Sequence, residues 1–79
     1  MEIYYEKRAE KYLHKLTDDI QIRLEDAINA IPDGDIKLLK GYTNLYRLRV
    51  GNNRIIFRRD DENNIYILLI GPRGDIYKK

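Results

Sequence analysis

Two runs, Leu45-Tyr46-Arg47-Leu48-Arg49-Val50 and Arg54-Ile55-Ile56-Phe57-Arg58, meet at Gly51-Asn52-Asn53. No other part of the chain restricts its fold as much. A period of two sends alternate side chains to opposite faces of a strand. A short connection rich in residues that tolerate positive φ then joins the two strands as a hairpin. One face must carry Tyr46, Leu48, Val50, Ile55 and Phe57 into a core. The other carries Arg47 and Arg49, roughly 7 Å apart on one strand, with Arg54, Ile56 and Arg58 sharing a face on the next. If Leu48, Ile55 and Phe57 are core, the register sets Arg54 beside Arg47 and Arg49.

The cover for the apolar face lies upstream. Ile3–Tyr5 is a short β-favouring opening strand. Ala9, Tyr12, Leu13 and Leu16 then recur at i, i+3, i+4 and i+7, the stripe of a first helix. Thr17 is placed to cap a second helix, with Asp18 and Asp19 at the positive end of its dipole. Ile20, Leu24, Ala27, Ile28 and Ile31 form its stripe, and Pro32-Asp33-Gly34-Asp35 stops it. A loop through Lys40-Gly41-Tyr42-Thr43-Asn44 leads into the hairpin, Asp60 to Asn64 makes the next turn, and Ile65–Ile70 is apolar on both faces, hence central. Ile76-Tyr77 reads as a last extended piece. The order β-α-α-β-β-β predicts an α+β fold. An N-terminal strand and a two-helix hairpin pack on one face of a small, mainly antiparallel sheet.

With 79 residues, residues 1–79 read as a single domain, one that buries only about 60–65% of its unfolded surface. There is no cysteine and one histidine, which excludes disulfides and the usual zinc patterns, so no metal or cofactor is expected. No apolar leader opens the chain, and Ile65–Ile70 is far too short to span a bilayer; the expectation is a cytoplasmic protein without a membrane partner. The net charge of +2 conceals an uneven distribution. Residues 1–44 sum to −2 and residues 45–79 to +4, so the basic character sits in the strands and can form a fixed surface.

That surface suits phosphate, because guanidinium groups are planar forks that bind it in pairs; strand arginines also serve simply as solvated charges. Crowded cations repel when nothing sits between them, which favours an anion site. Arg73 arrives at the end of the central strand. Tyr77, close by, can stack on a base or, with a lowered pKa, move a proton; a packed tyrosine with its hydroxyl in water is the plainer reading. His14 falls off the apolar stripe and reads as exposed. Asp60-Asp61-Glu62 reads as a solvated turn.

The run from Leu45 to Arg58, with Lys40-Gly41 before it and Gly71-Pro72-Arg73-Gly74-Asp75-Ile76-Tyr77 after it, resembles the RelE-type toxins of the RelE/ParE toxin–antitoxin superfamily. The resemblance extends over the first helix through Ala9-Glu10-Lys11-Tyr12-Leu13 and Leu16. It implies a RelE-like fold and a ribosome-dependent mRNA endoribonuclease that cleaves in the decoding site without metal, inhibiting translation. The 2′-hydroxyl attacks the adjacent phosphate, leaving a cyclic phosphate and a free 5′-hydroxyl. The family's basic strand pair matches Arg47 and Arg49, its key arginine Arg54, and its late arginine and C-terminal tyrosine Arg73 and Tyr77. The resemblance thus makes Arg54, Arg73, Tyr77 and Arg49 the catalytic candidates and Arg47 and Arg49 RNA-binding, and the strand alternation adds Arg58 to the RNA-binding set. The implied partners are a RelB-like antitoxin and the ribosome with its mRNA. Two departures stand out. The strand pair is all arginine, where some members have lysine, and a guanidinium gives up no proton at neutral pH. Pro72 replaces the His or Lys that many members carry before the late arginine. A ParE-like toxin that poisons gyrase, or a non-catalytic RNA-binding module, fits the same strand motifs.

Overall fold

The computed structural model describes residues 1–72. Within them the order is β1 (Ile3–Tyr5), α1 (Lys7–Leu13), α2 (Asp18–Asn29), β2 (Asp35–Leu38), β3 (Leu45–Val50), β4 (Asn53–Arg59) and β5 (Ile65–Pro72). The strands form one sheet in the order β1-β5-β4-β3-β2. β1 runs parallel to β5, and every other pairing is antiparallel. This is the expected α+β arrangement with one further strand. The helix stop expected at Pro32-Asp33-Gly34-Asp35 runs at Asp35 straight into that strand, Asp35–Leu38, which pairs with β3.

The helices cover one face. Ala9 and Leu13 of α1, Leu24 and Ile28 of α2, and Ile31 beyond it meet Leu48, Ile55, Phe57, Ile65, Ile67 and Ile70 in a single buried cluster. Each large side chain in it contributes about 1.5–3 kcal/mol of transfer free energy. Tyr46 and Phe57 stack within this layer, ring centroids 5.3 Å apart. The α2 stripe holds only in part. Leu24 and Ile28 are buried, but Ile20 in the first turn is exposed, because α2 reaches the sheet mainly at β3. Thr17 occupies the N-cap position with extended backbone, yet its side chain makes no capping bond.

Turn chemistry fixes the register. Gly51 takes φ +59° in a two-residue connection closed by Val50 opposite Asn53. Leu48 then faces Ile55, Arg47 faces Ile56, and Arg49 faces Arg54. Between β4 and β5 a bulge intervenes, since Ile56 pairs with Leu69 but Phe57 pairs with Ile67. The extra residue, Leu68, shifts the alternation, so Ile65 and Ile67 before it and Ile70 after it all enter the same core. That is how a run apolar throughout still divides between two faces. No helix of the described residues is long and apolar enough to cross a membrane.

Candidate nucleic-acid interface

The sheet face opposite the helices is set by the same alternation. Because Ile36, Leu48, Ile55, Phe57, Ile67, Ile3 and Tyr5 belong to or pack on the core, their neighbours Asp35, Lys37, Arg47, Arg49, Arg54, Ile56, Arg58, Tyr66 and Tyr4 take the other side. Lys37 and four arginines thus share that face with the carboxylates of Asp35 and, at the β4–β5 turn, Asp60.

Arg49 and Arg54 are direct cross-strand partners, which sets their Cβ atoms about 4.5–5.5 Å apart. On its far side Arg54 pairs with Gly71, which has no side chain to crowd it. Arg49 has roughly half its side chain in solvent, and Arg54 is half-buried. Two forked cations facing each other on a rigid ladder can converge on one phosphate or on neighbouring phosphates.

Arg47 behaves differently from the expected open row. Only 6% of it is exposed. Its Nη2 donates to Asp35 Oδ1 at 3.4 Å, and Arg49 Nε lies 4.0 Å from Asp35 Oδ2. Its Nη1 is buried without a hydrogen-bond partner among the described residues. Arg47 therefore lies beneath the face, held by an acid that β2 brings alongside. Sequence reasoning missed Asp35, although the period-two pattern of Asp35-Ile36-Lys37-Leu38 carried the signal.

Arg58 shares the face but stands four residues from Arg54, about 13 Å along β4. Its guanidinium lies 4.0 Å from the centre of the Tyr66 ring, and Tyr66 stacks on Tyr4 with centroids 5.2 Å apart. Tyr66 donates its hydroxyl to Asp60 Oδ2 at 3.0 Å. Asp60 Oδ1 accepts the backbone N–H groups of Glu62 and Asn64, both at 2.9 Å. The turn's acid is a fixed support, not a freely solvated one. The bond from Asn64 N–H leads in holding the Asp60 carboxyl below the usual carboxylate range, with those from Glu62, Tyr66 and the Asn64 side chain adding to it against some desolvation. The same Asp60 bond is the main cause that raises the Tyr66 phenol. Asp60 also borders an open groove of about 530 Å³ lined by Thr43, Asn44, Tyr46, Arg58 and Arg59.

His14 is exposed, as expected. Elsewhere Tyr5 is raised by burial, and secondarily by the nearby Glu25. Arg73, Tyr77 and the extended piece expected at Ile76-Tyr77 lie outside the described residues.

Known proteins share this architecture. A chain of the archaeal RelE–RelB complex from Pyrococcus horikoshii OT3 superposes with a TM-score of 0.75 at 27% identity, over 94% of this chain and 96% of that one. A chain of the RelB–RelE antitoxin–toxin complex from Methanococcus jannaschii gives 0.69 at 30% identity, over 94% of each. One from the intact E. coli RelBE toxin–antitoxin complex gives 0.71 at 17% identity, over 92% and 96%, and so shares the fold. Sequence comparison with curated proteins finds no match. These likenesses, with the family model that matches the chain, make it a toxin of the RelE/ParE superfamily. The model of the family "ParE toxin of type II toxin-antitoxin system, parDE" matches residues 3–77. The chain belongs to that family.

Proposed function

We propose that this toxin is a metal-independent, ribosome-dependent mRNA endoribonuclease that arrests translation by cutting mRNA in the decoding site. The observation that carries the reading is the Arg49–Arg54 pair, facing across the hairpin on the sheet surface left clear of the helices. In-line attack of a 2′-hydroxyl on the adjacent phosphorus forms a phosphorane with added negative charge. The P–O5′ bond then breaks, giving a cyclic phosphate and a 5′-hydroxyl. Preorganised cations stabilise that charge without reorganising during the reaction, and gripping the flanking phosphates holds the nucleophile in line. Arg54 is assigned to the phosphorane and Arg49 to the adjoining phosphate. Arg73 and Tyr77 join the site on the resemblance, Arg73 in charge stabilisation and Tyr77 in stacking or proton transfer. Neither arginine of the pair can act as a base, so the protons move through Tyr77, water or ribosomal RNA.

The partner in this reading is a RelB-like antitoxin, in keeping with the two archaeal complexes in which similar chains occur. An acidic, amphipathic segment that folds on binding would cover the basic face and stabilise the small core.

The test is cleavage of mRNA on programmed ribosomes, with chemical mapping of the new 3′ end. The expected result is a cyclic phosphate in the decoding site, with Arg54→Ala folded but at least a hundredfold slower, in line with loss of one charge-stabilising donor. A second reading has its own support, since the matching family model is that of ParE. A folded, antitoxin-free chain that leaves mRNA intact but blocks gyrase supercoiling would establish that reading instead.

A further inference from the structure

We propose that the ladder Tyr4–Tyr66–Arg58 is a nucleobase-stacking site for single-stranded RNA, separate from the phosphate-gripping pair Arg49–Arg54. The inference rests on the RNA-directed reading above for its ligand, but on different residues.

The ladder crosses three strands in register, with Tyr4 opposite Tyr66 on the parallel side and Arg58 opposite Tyr66 on the antiparallel side. Its inner members are held. Tyr66 is fixed by its bond to Asp60 and lies between the Tyr4 ring and the Arg58 guanidinium. Its outer member is open. Tyr4 is 48% exposed and stands on β1, the edge strand of the sheet. Its outer ring face therefore has no cross-strand neighbour among the described residues. The contrast is with Tyr46 and Phe57, the stacked pair on the helix side, of which Phe57 is fully buried. A pair that served only packing would be expected to resemble that one.

Chemistry selects the occupant. An aromatic face continuous with a cation suits the π-face of a base, and stacking of this kind tolerates any base. The same face carries Arg54 about 13 Å further along β4, so a strand whose backbone passes over Arg49 and Arg54 can lay a base a few nucleotides away on Tyr4. An apolar peptide would gain nothing from these cations, whereas a polyanion with flat bases uses both.

The test uses the full chain and a short 2′-O-methylated oligoribonucleotide carrying 2-aminopurine, which binds but cannot be cleaved. Binding of the wild type is expected to quench the fluorophore. Tyr4→Leu, which keeps apolar bulk but removes the ring, should weaken binding by roughly five- to a hundredfold and abolish the quenching. Tyr4→Phe should retain both. Thermal unfolding of the two variants separates loss of the site from loss of the fold. Unchanged affinity and quenching in Tyr4→Leu would overturn the proposal, as would a variant that binds RNA normally but loses an acidic partner protein. Failure of the nuclease reading is seen separately, as intact mRNA on ribosomes, and leaves this readout unaffected.

Discussion

Arg47 and Arg49 are two residues apart on one strand, yet they have different surroundings. Arg47 is buried beside Asp35, whose own side chain is 54% exposed. Arg49 is open to solvent for half its length and faces Arg54. Removing one partner of a buried pair leaves the other charge uncompensated, whereas an apolar replacement of similar length avoids that cost. Asp35→Ala should therefore lower the unfolding free energy by about 1–2 kcal/mol, the value for a bond to a charged group moderated by the solvent around Asp35. Arg47→Met should lie within about 1 kcal/mol of the wild type. Urea denaturation of both variants checks this. If Arg47 instead proves the stronger RNA contact, Arg47→Met will bind RNA worse than Arg49→Ala; the expected order is the reverse.

Among the elements, the β4–β5 turn carries the clearest pH signature. Asp60 has a carboxyl lowered by the bonds it accepts, so the folded state holds its proton less tightly than the unfolded chain does. The unfolded state then binds more protons between the two pKa values, and stability rises with pH there. The contribution is complete above the ordinary carboxylate pKa and disappears as pH falls through the lowered one. Asp60→Asn should unfold at a lower temperature at neutral pH, and its melting temperature should fall less steeply on acidification than that of the wild type. Parallel slopes in the acid range would remove Asp60 from the account. The hairpin and both helices were legible in the sequence because each rests on local patterns: period two, period 3.6, and Gly51 between strands. β2 was missed because a short edge strand preceded by Asp33-Gly34 looks like the continuation of a turn. The ladder was hidden for another reason. No local pattern announces that Tyr4 will stand beside Tyr66, since their pairing depends on bringing the first strand to the last. For the same reason the face of Arg47 was readable, but its burial was not.

At the scale of the molecule the division of charge found in the chain becomes a division of surfaces, with helices on one side and a cationic sheet face on the other. Binding of single-stranded RNA to such a face releases counterions, so log K should fall linearly with log salt by about 0.7 per phosphate contacted. Arg49→Ala should reduce the slope by about that amount, measured by titration across a salt series. Tyr4→Leu should lower affinity at every salt and leave the slope unchanged. The sheet carries one more consequence, in time rather than in space. β5 lies between β1 and β4 and packs against α1, yet of the described strands it is the last that a ribosome makes. Until it emerges, β1 has no partner and the hairpin of β3 and β4 has an unpaired edge. Contacts between residues so far apart in sequence form late and slowly. A growing chain therefore completes the sheet face that carries Arg49 and Arg54 only when β5 joins β4, and until then the basic surface lacks one of its flanks.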